Sequence, residues 1–221
     1  MGSTLRAAYD RAFAKIQDDI LKMGTMVDQA IYNSVEALKK RDQILAQEVI
    51  DSDEAINDLR FTVEEAVLAL IATQQPAASD LRAVVAAMNI VVEMERMADH
   101  ASGIAKTVIL MGDEPLLKPL IDIPRMADLS RKMLSDCLQA YIDRKAAQAK
   151  DIASWDDEMD RYYKAVFDEL VEIMAQKPDS VERATYLLWC AHNLERISDR
   201  VTNIAERVVF VNTGDMEELN P

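Results

Sequence analysis

The feature that most constrains the fold of this chain is a short sequence that occurs twice, one hundred residues apart. Residues 95–99 read Glu-Arg-Met-Ala-Asp, and residues 195–199 read Glu-Arg-Ile-Ser-Asp. The agreement continues beyond these segments, because an isoleucine, an alanine and a valine at residues 104, 105 and 108 recur at 204, 205 and 208. A match of this kind indicates an internal duplication, so the chain is predicted to fold as two equivalent halves.

The earlier parts of the two halves match at a slightly different spacing. Corresponding residues there lie 103 positions apart, as in the pairs Ala37 and Ala140, Arg41 and Arg144, Ala46 and Ala149, and Asp53 and Asp156. The change of spacing places a three-residue length difference between the two matched regions. A turn between helices is where a duplicated bundle tolerates such a difference.

The composition predicts an all-α fold. The 221 residues include only five glycines and six prolines, and 5% of the residues are aromatic. Long stretches that are free of helix breakers and rich in Ala, Leu, Met, Glu and Arg favour long helices over strands. Together with the duplication, this predicts two tandem three-helix repeats that form a six-helix bundle.

Apolar residues at three- and four-residue steps, with Gly and Pro at the breaks, set the predicted helices. Their approximate spans are 5–40, 42–72, 79–111, 125–144, 146–175 and 180–211. Ser79 and Asp80 are typical of an N-terminal cap for the third helix. The predicted domains are a first three-helix repeat at 1–111, a linker at 112–124, a second three-helix repeat at 125–213 and an acidic tail at 214–221.

Charge and hydropathy exclude several classes of partner. With 25 basic and 39 acidic residues the net charge is −14, which opposes general electrostatic binding to nucleic acid or anionic lipid. The longest charge-free apolar run, residues 83–92, is far shorter than the ~20 residues of a membrane span. Cys137 and Cys190, in a chain without a secretion signal, are expected to be free thiols. These features predict a cytoplasmic protein that is not inserted in a membrane.

Pairs of acids mark the candidate site. Glu95 and Asp99 are four residues apart, as are Glu195 and Asp199, so each pair shares one face of its helix. Each pair also continues an apolar seam along its helix. In the third helix the seam members Leu81, Val85, Met88 and Val92 precede the acids and are expected to be covered by another helix.

Antiparallel helices joined by a short turn place residues level when their numbers have a constant sum. A turn near Pro178 puts Asp156 and Asp160 level with Asp199 and Glu195. A turn near Pro76 likewise puts Asp53 and Asn57 level with the acids of the third helix. Each half is therefore predicted to bring two pairs of polar side chains, mostly carboxylates, to one height.

Clustered carboxylates repel one another unless they hold cations, meet basic partners or face solvent. Hard oxygen ligands favour Mg²⁺, Ca²⁺, Mn²⁺ or iron, and helical bundles hold multinuclear iron through such side chains. The alternative is a solvated surface on which Arg96 and Arg196 pair with the acid three residues further on. The sequence lacks the Glu-x-x-His element of di-iron oxidases, although His100 and His192 lie close to the acids.

The sequence also resembles the PhoU family of phosphate-transport accessory proteins over essentially the whole chain. The resemblance rests on residues 23–30, 75–82, 95–100 and 195–200 and on the duplicated six-helix plan. It implies a cytoplasmic, commonly dimeric regulator that represses the phosphate-starvation (Pho) response. Such a regulator connects the phosphate ABC transporter, through its ATPase subunit, with the sensor histidine kinase of the phosphate two-component system.

The resemblance further implies that repeated Glu/Asp-x-x-x-Asp motifs bind a multinuclear metal cluster, with iron as the first choice and Mn, Mg or Zn as alternatives. The metal ligands expected on this basis are Glu195, Asp199, Asp156, Asp160, Glu95, Asp99 and Asp53. The first-half site departs from the motif, because Asn57 stands in place of an acid and Gly103 stands where the second half has Asn203.

Three functions remain open from the sequence. The first is a non-enzymatic protein adaptor, since no nucleophile–base set and no phosphate-cradling glycine loop is present. The second is a carboxylate-bridged, metal-dependent oxidase or hydrolase. The third is a structural bundle that binds no metal.

Overall fold

The structure is a computed structural model that describes residues 2–219, with side chains from residue 6 onward. It consists of α-helices and one short 3₁₀ helix at Pro178–Ser180. The α-helices are α1 (Gly2–Lys40), α2 (Gln43–Gln74), α3 (Ser79–Met111), α4 (Asp122–Ile142), α5 (Ala146–Ala153), α6 (Asp156–Gln176) and α7 (Val181–Thr213). The all-α prediction and the two three-helix repeats are confirmed, with α5 and α6 together in the place of one predicted helix.

The helix α1 shows how the sequence pattern produces the packing. Its apolar residues recur every three or four positions, so they form one stripe along the helix. Ile16, Ile20, Met23, Val27 and Ile31 in that stripe are all at most 1% exposed. At its C-terminal end, Lys39 and Lys40 lie where cations interact favourably with the helix dipole.

Each repeat forms its own bundle, and the two bundles share a core. In the first repeat α1 packs against α2 and α3, and in the second α4 packs against α5, α6 and α7. The two repeats meet through α3 against α7 and α1 against α4. Helices α2, α3, α7 and α6 therefore follow one another across one side of the molecule, with α1 and α4 behind them.

The turns after α1 and α4 show the duplication at the level of single torsion angles. Arg41 and Arg144, which lie 103 positions apart, have φ of 54° and 55°. After each of them a backbone N–H donates to a carbonyl five residues earlier, from Asp42 to Ala37 and from Lys145 to Ala140, both at 2.9 Å. This is the hydrogen bond that closes a helix with a left-handed residue.

Two sequence-based expectations about the helices are wrong in detail. The helix predicted at 146–175 is interrupted at Ser154 and Trp155, where the backbone N–H of Trp155 bonds three residues back, to Ile152. The residue that caps α3 is Ala78, which has no side-chain oxygen, and Asp80 instead binds Arg6 at 2.5 Å. The capping prediction failed because a long-range ion pair engages the side chain that was expected to cap locally.

The apolar start of the α3 seam is also less covered than predicted. Leu81 and Val85 are each 38% exposed. Helix α3 packs against α1, α2 and α7, and Leu81 and Val85 are not fully covered by any of the three. The predicted burial failed here because a seam between two adjacent helices is covered only if a third element lies over it.

The thiol prediction agrees with the structure, in which Cys137 and Cys190 are free and buried. Burial raises the pKa of the Cys190 thiol to about 12, so it stays protonated. Among the described residues no helix is long and apolar enough to cross a membrane.

Candidate metal centre

The second-half acid cluster, defined as Asp156, Asp160, Glu195 and Asp199, lies between the start of α6 and the middle of α7. Asp156 is only 5% exposed, and its carboxylate accepts a hydrogen bond of 2.6 Å from the hydroxyl of Ser198. Asp156 also lies in the first turn of α6, where a negative charge is favoured by the helix dipole. These two interactions offset part of the cost of burying a carboxylate.

The carboxyl group of Glu195 is strongly perturbed. Burial first, and then repulsion from Asp199, raises the pKa of Glu195 to about 7, and the guanidinium of Arg196 opposes that shift. Asp160 and Asp156 add smaller repulsions in the same direction, which places all four acids within electrostatic reach of one another. The predicted height matching of α6 and α7 therefore agrees with the structure.

One oxygen of Glu195 is buried without a hydrogen bond. His192 Nδ1 lies 3.3 Å from this Oε2 atom, but it is not aligned for a hydrogen bond. The imidazole of His192 also packs beside the ring of Tyr163, with 6.1 Å between the ring centroids. A buried carboxylate oxygen with no donor is costly, so this atom has a strong requirement for a proton or a cation.

The carboxylate of Asp199 is paired with the guanidinium of Arg196 on the same helix. Arg196 donates a hydrogen bond of 2.5 Å to Asp199, three residues further along the helix. Burial raises the pKa of Asp199 and Arg196 lowers it, with burial the larger effect. Asp160, by contrast, is exposed. The ion pair foreseen as the alternative to metal binding is thus present in the second half, alongside the buried and unpaired oxygen of Glu195.

The first half brings together Asp53, Glu95 and Asp99, as the height matching predicted. Burial and then repulsion from Asp99 raise the pKa of both Asp53 and Glu95. Arg96 approaches Glu95 and Asp99 at 3.5 Å each. The Oγ atom of Ser102, next to Asp53, is buried without a hydrogen bond of good geometry.

The first half also contains a cation that the second half lacks. Arg60 donates to Asn57 at 3.0 and 3.2 Å and to Glu64 at 2.9 Å, and its charge lowers the pKa of Glu95. At the spacing of 103, Arg60 corresponds to Tyr163 of the second half. A positive charge beside the carboxylates opposes cation binding, although Arg200 acts on Asp199 in the same way in the second half. The second-half cluster has one more carboxylate, because Asp160 stands where the first half has Asn57, and on that ground it fits a metal better.

The side-chain chemistry of the second-half cluster fits a hard cation, because its ligands are carboxylate oxygens with one imidazole nearby and one oxygen lacks a donor. Within residues 2–219, no three His, Cys, Asp or Glu side chains already converge in an arrangement that could hold a metal ion. Arg196 holds Asp199 in this structure, so a metal ion would compete with that ion pair.

Sequence reasoning missed two residues that shape these clusters. Ser198 supplies the hydrogen bond to Asp156, and the signal for it was the replacement of Ala98 by Ser198 inside the repeated motif. Arg60 occupies the first-half site, and the signal for it was a basic residue at seam spacing between Asn57 and Glu64 of the second helix.

Comparison with known proteins agrees with this architecture. The PhoU domain matches the chain twice, at residues 20–108 and 123–208. The phosphate-specific transport system accessory protein PhoU homolog of Clostridium acetobutylicum is 35% identical over 216 residues, 97% of this chain and 99% of that protein. The homolog from Streptococcus pneumoniae serotype 4 is 33% identical and matches over 98% of this chain and 100% of its own length.

Two crystal structures have the same fold. The phosphate transport system regulatory protein PhoU from Streptococcus pneumoniae superimposes with a TM-score of 0.88 at 32% identity, covering 95% of this chain and 99% of that one. PhoU from Pseudomonas aeruginosa gives a TM-score of 0.89 at 30% identity, covering 94% and 100%. Because both domain matches, the full-length relatives and the fold agree, the chain belongs to the PhoU family.

Proposed function

We propose that this protein is a cytoplasmic regulator of phosphate uptake that acts as an adaptor between two other proteins. One is the ATPase subunit of the phosphate ABC transporter, and the other is the sensor histidine kinase that controls the phosphate-starvation (Pho) response, which the adaptor represses. The observation that carries the proposal is the near full-length match to proteins named as accessory proteins of phosphate-specific transport.

The proposed mechanism is protein contact without catalysis. Its support is that relatives over nearly the full length are named as accessory proteins of a transport system. A protein with a net charge of −14 favours partners with cationic surfaces. We further propose that the protein works as a homodimer.

The proposed adaptor also binds metal, first of all through the second-half acid cluster. Asp156, Asp160, Glu195 and Asp199 would hold the ion or ions, with iron as the first choice and Mn, Mg or Zn as alternatives. The support is the buried, donor-free oxygen of Glu195 and the all-oxygen chemistry of the cluster. The first-half residues Asp53, Glu95 and Asp99 form the weaker site, because Asn57 stands there in place of Asp160.

The adaptor role is tested by co-purification of the full chain with the ATPase subunit and with the sensor kinase, each expressed separately. Capture of both partners is expected, and capture of neither would contradict the adaptor proposal. Metal binding is tested by elemental analysis of the purified protein. Asp156→Asn should lower the metal content, whereas Asp157→Asn, at an exposed position on the same helix turn, should not.

A further inference from the structure

A groove between α1 and α2 is open in the first repeat. It has a volume of about 220 Å³, and its floor is apolar, with Ala30, Val49 and Ile56 all at most 5% exposed. Met26 and Ala55 add further apolar lining. The volume is below the roughly 300–1,000 Å³ of pockets that take a drug-sized molecule, so the groove suits a single side chain.

The second repeat shows what fills the corresponding space. At the spacing of 103, Ser52 of the groove corresponds to Trp155, and Gln29 corresponds to Lys132. Trp155 packs against the core, and the ammonium of Lys132 lies 3.6 Å from the centroid of its indole ring. The indole of Trp155 therefore lies between α4 and the α5–α6 junction, the equivalents of the two groove walls.

The α1 edge of the groove is a neutral copy of the α4 edge around Trp155. Lys132 donates to Asp136 at 3.0 Å, four residues on. At the equivalent positions of the first repeat Gln29 donates to Asn33 at 2.8 Å. The hydrogen bond across one helical turn is present in both repeats, but it joins two charged side chains in the second repeat and two neutral amides in the first.

The groove has less side-chain volume than its filled counterpart. Ser52 of the first repeat occupies the position of Trp155 in the second repeat. The buried floor residues of the second repeat are replaced in the first by apolar residues of smaller or similar size. These floor pairs are Ala30 for Met133, Val49 for Ile152 and Ile56 for Met159. The backbone differs here as well, because α2 continues through Ser52 whereas the helix of the second repeat is interrupted at Ser154 and Trp155.

We propose that the groove lined by Ala30, Val49, Ser52 and Ile56 binds an aromatic side chain, tryptophan above all, that a partner protein supplies. The occupant is an indole because the same fold holds an indole at the equivalent place in its other half. Aromatic side chains are also the common anchors of protein interfaces, since they bury a large area with few torsion angles. Glu48 also lines the groove, and a carboxylate there can accept an indole N–H.

The partner is one of the two proteins of the proposed adaptor function, and in this respect the inference rests on that function. The groove itself can be tested alone. Full-length protein carrying ¹³C-methyl methionine is titrated with N-acetyl-tryptophanamide while the methyl signal of Met26 is followed. A saturable shift is expected in the wild type and in Ser52→Ala, and N-acetyl-alaninamide should give none.

Two variants copy the second repeat into the first. Ser52→Trp should fill the groove with its own indole and abolish the shift of Met26, and Ala30→Met provides a smaller plug should the tryptophan disturb folding. Conversely, Trp155→Ser should open the second-half groove, so that the methyl signals of Met133 and Met159 respond to the probe. No shift of Met26 in the wild type, or an unchanged shift in both plugged variants, would overturn the proposal.

Capture experiments then identify the source of the aromatic side chain. Ser52→Trp should weaken binding of the kinase or of the ATPase subunit at least tenfold, whereas Ser52→Ala should not. If Ser52→Trp and the wild type capture the partners equally well, the inference is overturned but the adaptor function stands. If the wild type captures neither the kinase nor the ATPase subunit, the adaptor function itself is overturned. Trp189 of α7 is an exposed tryptophan of this chain. If the Met26 signal instead shifts with protein concentration and Trp189→Phe abolishes that shift, the occupant is a second copy and the partner assignment is wrong.

Discussion

Replacing Glu195 with glutamine should make the metal-free protein more stable at high pH but not at low pH. Burial and the neighbouring acids raise the pKa of Glu195 from 4.5 to about 7 in the folded protein. Folded protein therefore keeps the proton up to about pH 7, whereas the unfolded chain releases it near pH 4.5. The contribution of the protonated group to stability is complete below pH 4.5 and is lost as the pH rises to 7.

The size of the effect follows from the same two values. A pKa that rises from 4.5 to about 7 corresponds to roughly 3 kcal/mol, because one pH unit is worth about 1.4 kcal/mol. The side chain is 21% exposed, so solvent screening makes this figure an upper value. Glutamine has the shape of the protonated acid and cannot ionise, so Glu195→Gln removes the loss at high pH.

The assay is urea unfolding of both proteins between pH 4.5 and 8.5 in the presence of a chelator. The difference in free energy of unfolding, variant minus wild type, should be close to zero at pH 4.5 and grow to at most about 3 kcal/mol by pH 8. Glu65→Gln, the same substitution at an exposed position of α2, is the matched control and should show no such growth. A difference that is constant with pH, or that shrinks as the pH rises, would refute the reasoning.

Three further predictions concern packing and hydrogen bonds. A Cβ atom added at Gly24 would lie 2.3 Å from the Cδ1 atom of Leu138. Gly24→Ala should therefore lower the free energy of unfolding by about 1–3 kcal/mol in urea unfolding. A double variant with Leu138→Val should recover part of that loss. Ser198→Ala removes a donor to the buried carboxylate of Asp156 and should cost about 1.5–3 kcal/mol in urea unfolding at pH 7. Asp42 accepts two backbone N–H groups at the start of α2, so Asp42→Ala should cost about 0.5–2 kcal/mol in thermal unfolding followed by circular dichroism.

The two halves explain why so much of the architecture could be read from the sequence. Helix periodicity is a local property, and the duplicated motif fixed the correspondence between Glu95 and Glu195 without any structure. Once short turns were placed near Pro76 and Pro178, the constant rise per residue of a helix set which acids lie level. Electrostatic contact between Asp53 and Asp99, and among the four second-half acids, agrees with that simple geometry.

The sequence could not decide which of the level carboxylates are buried, paired or exposed. Asp156 and Asp160 belong to one motif, yet one is buried against Ser198 and the other faces solvent. Leu81 and Val85 follow the pattern of covered residues but lie at an uncovered edge. These outcomes depend on which helix lies over a seam, and that is a property of the whole packing arrangement.

The sequence by itself therefore determined the helices, the duplication and the levels at which acids meet, because each follows from local periodicity and helix rise. Only the tertiary structure decided that Glu195 keeps a donor-free buried oxygen and that Arg60 lies within electrostatic reach of Glu95 in the first-half site. It also decided that Trp155 fills in one half a groove that Ser52 leaves open in the other. Burial and side-chain contact arise from residues distant in the chain, so no local pattern contains them.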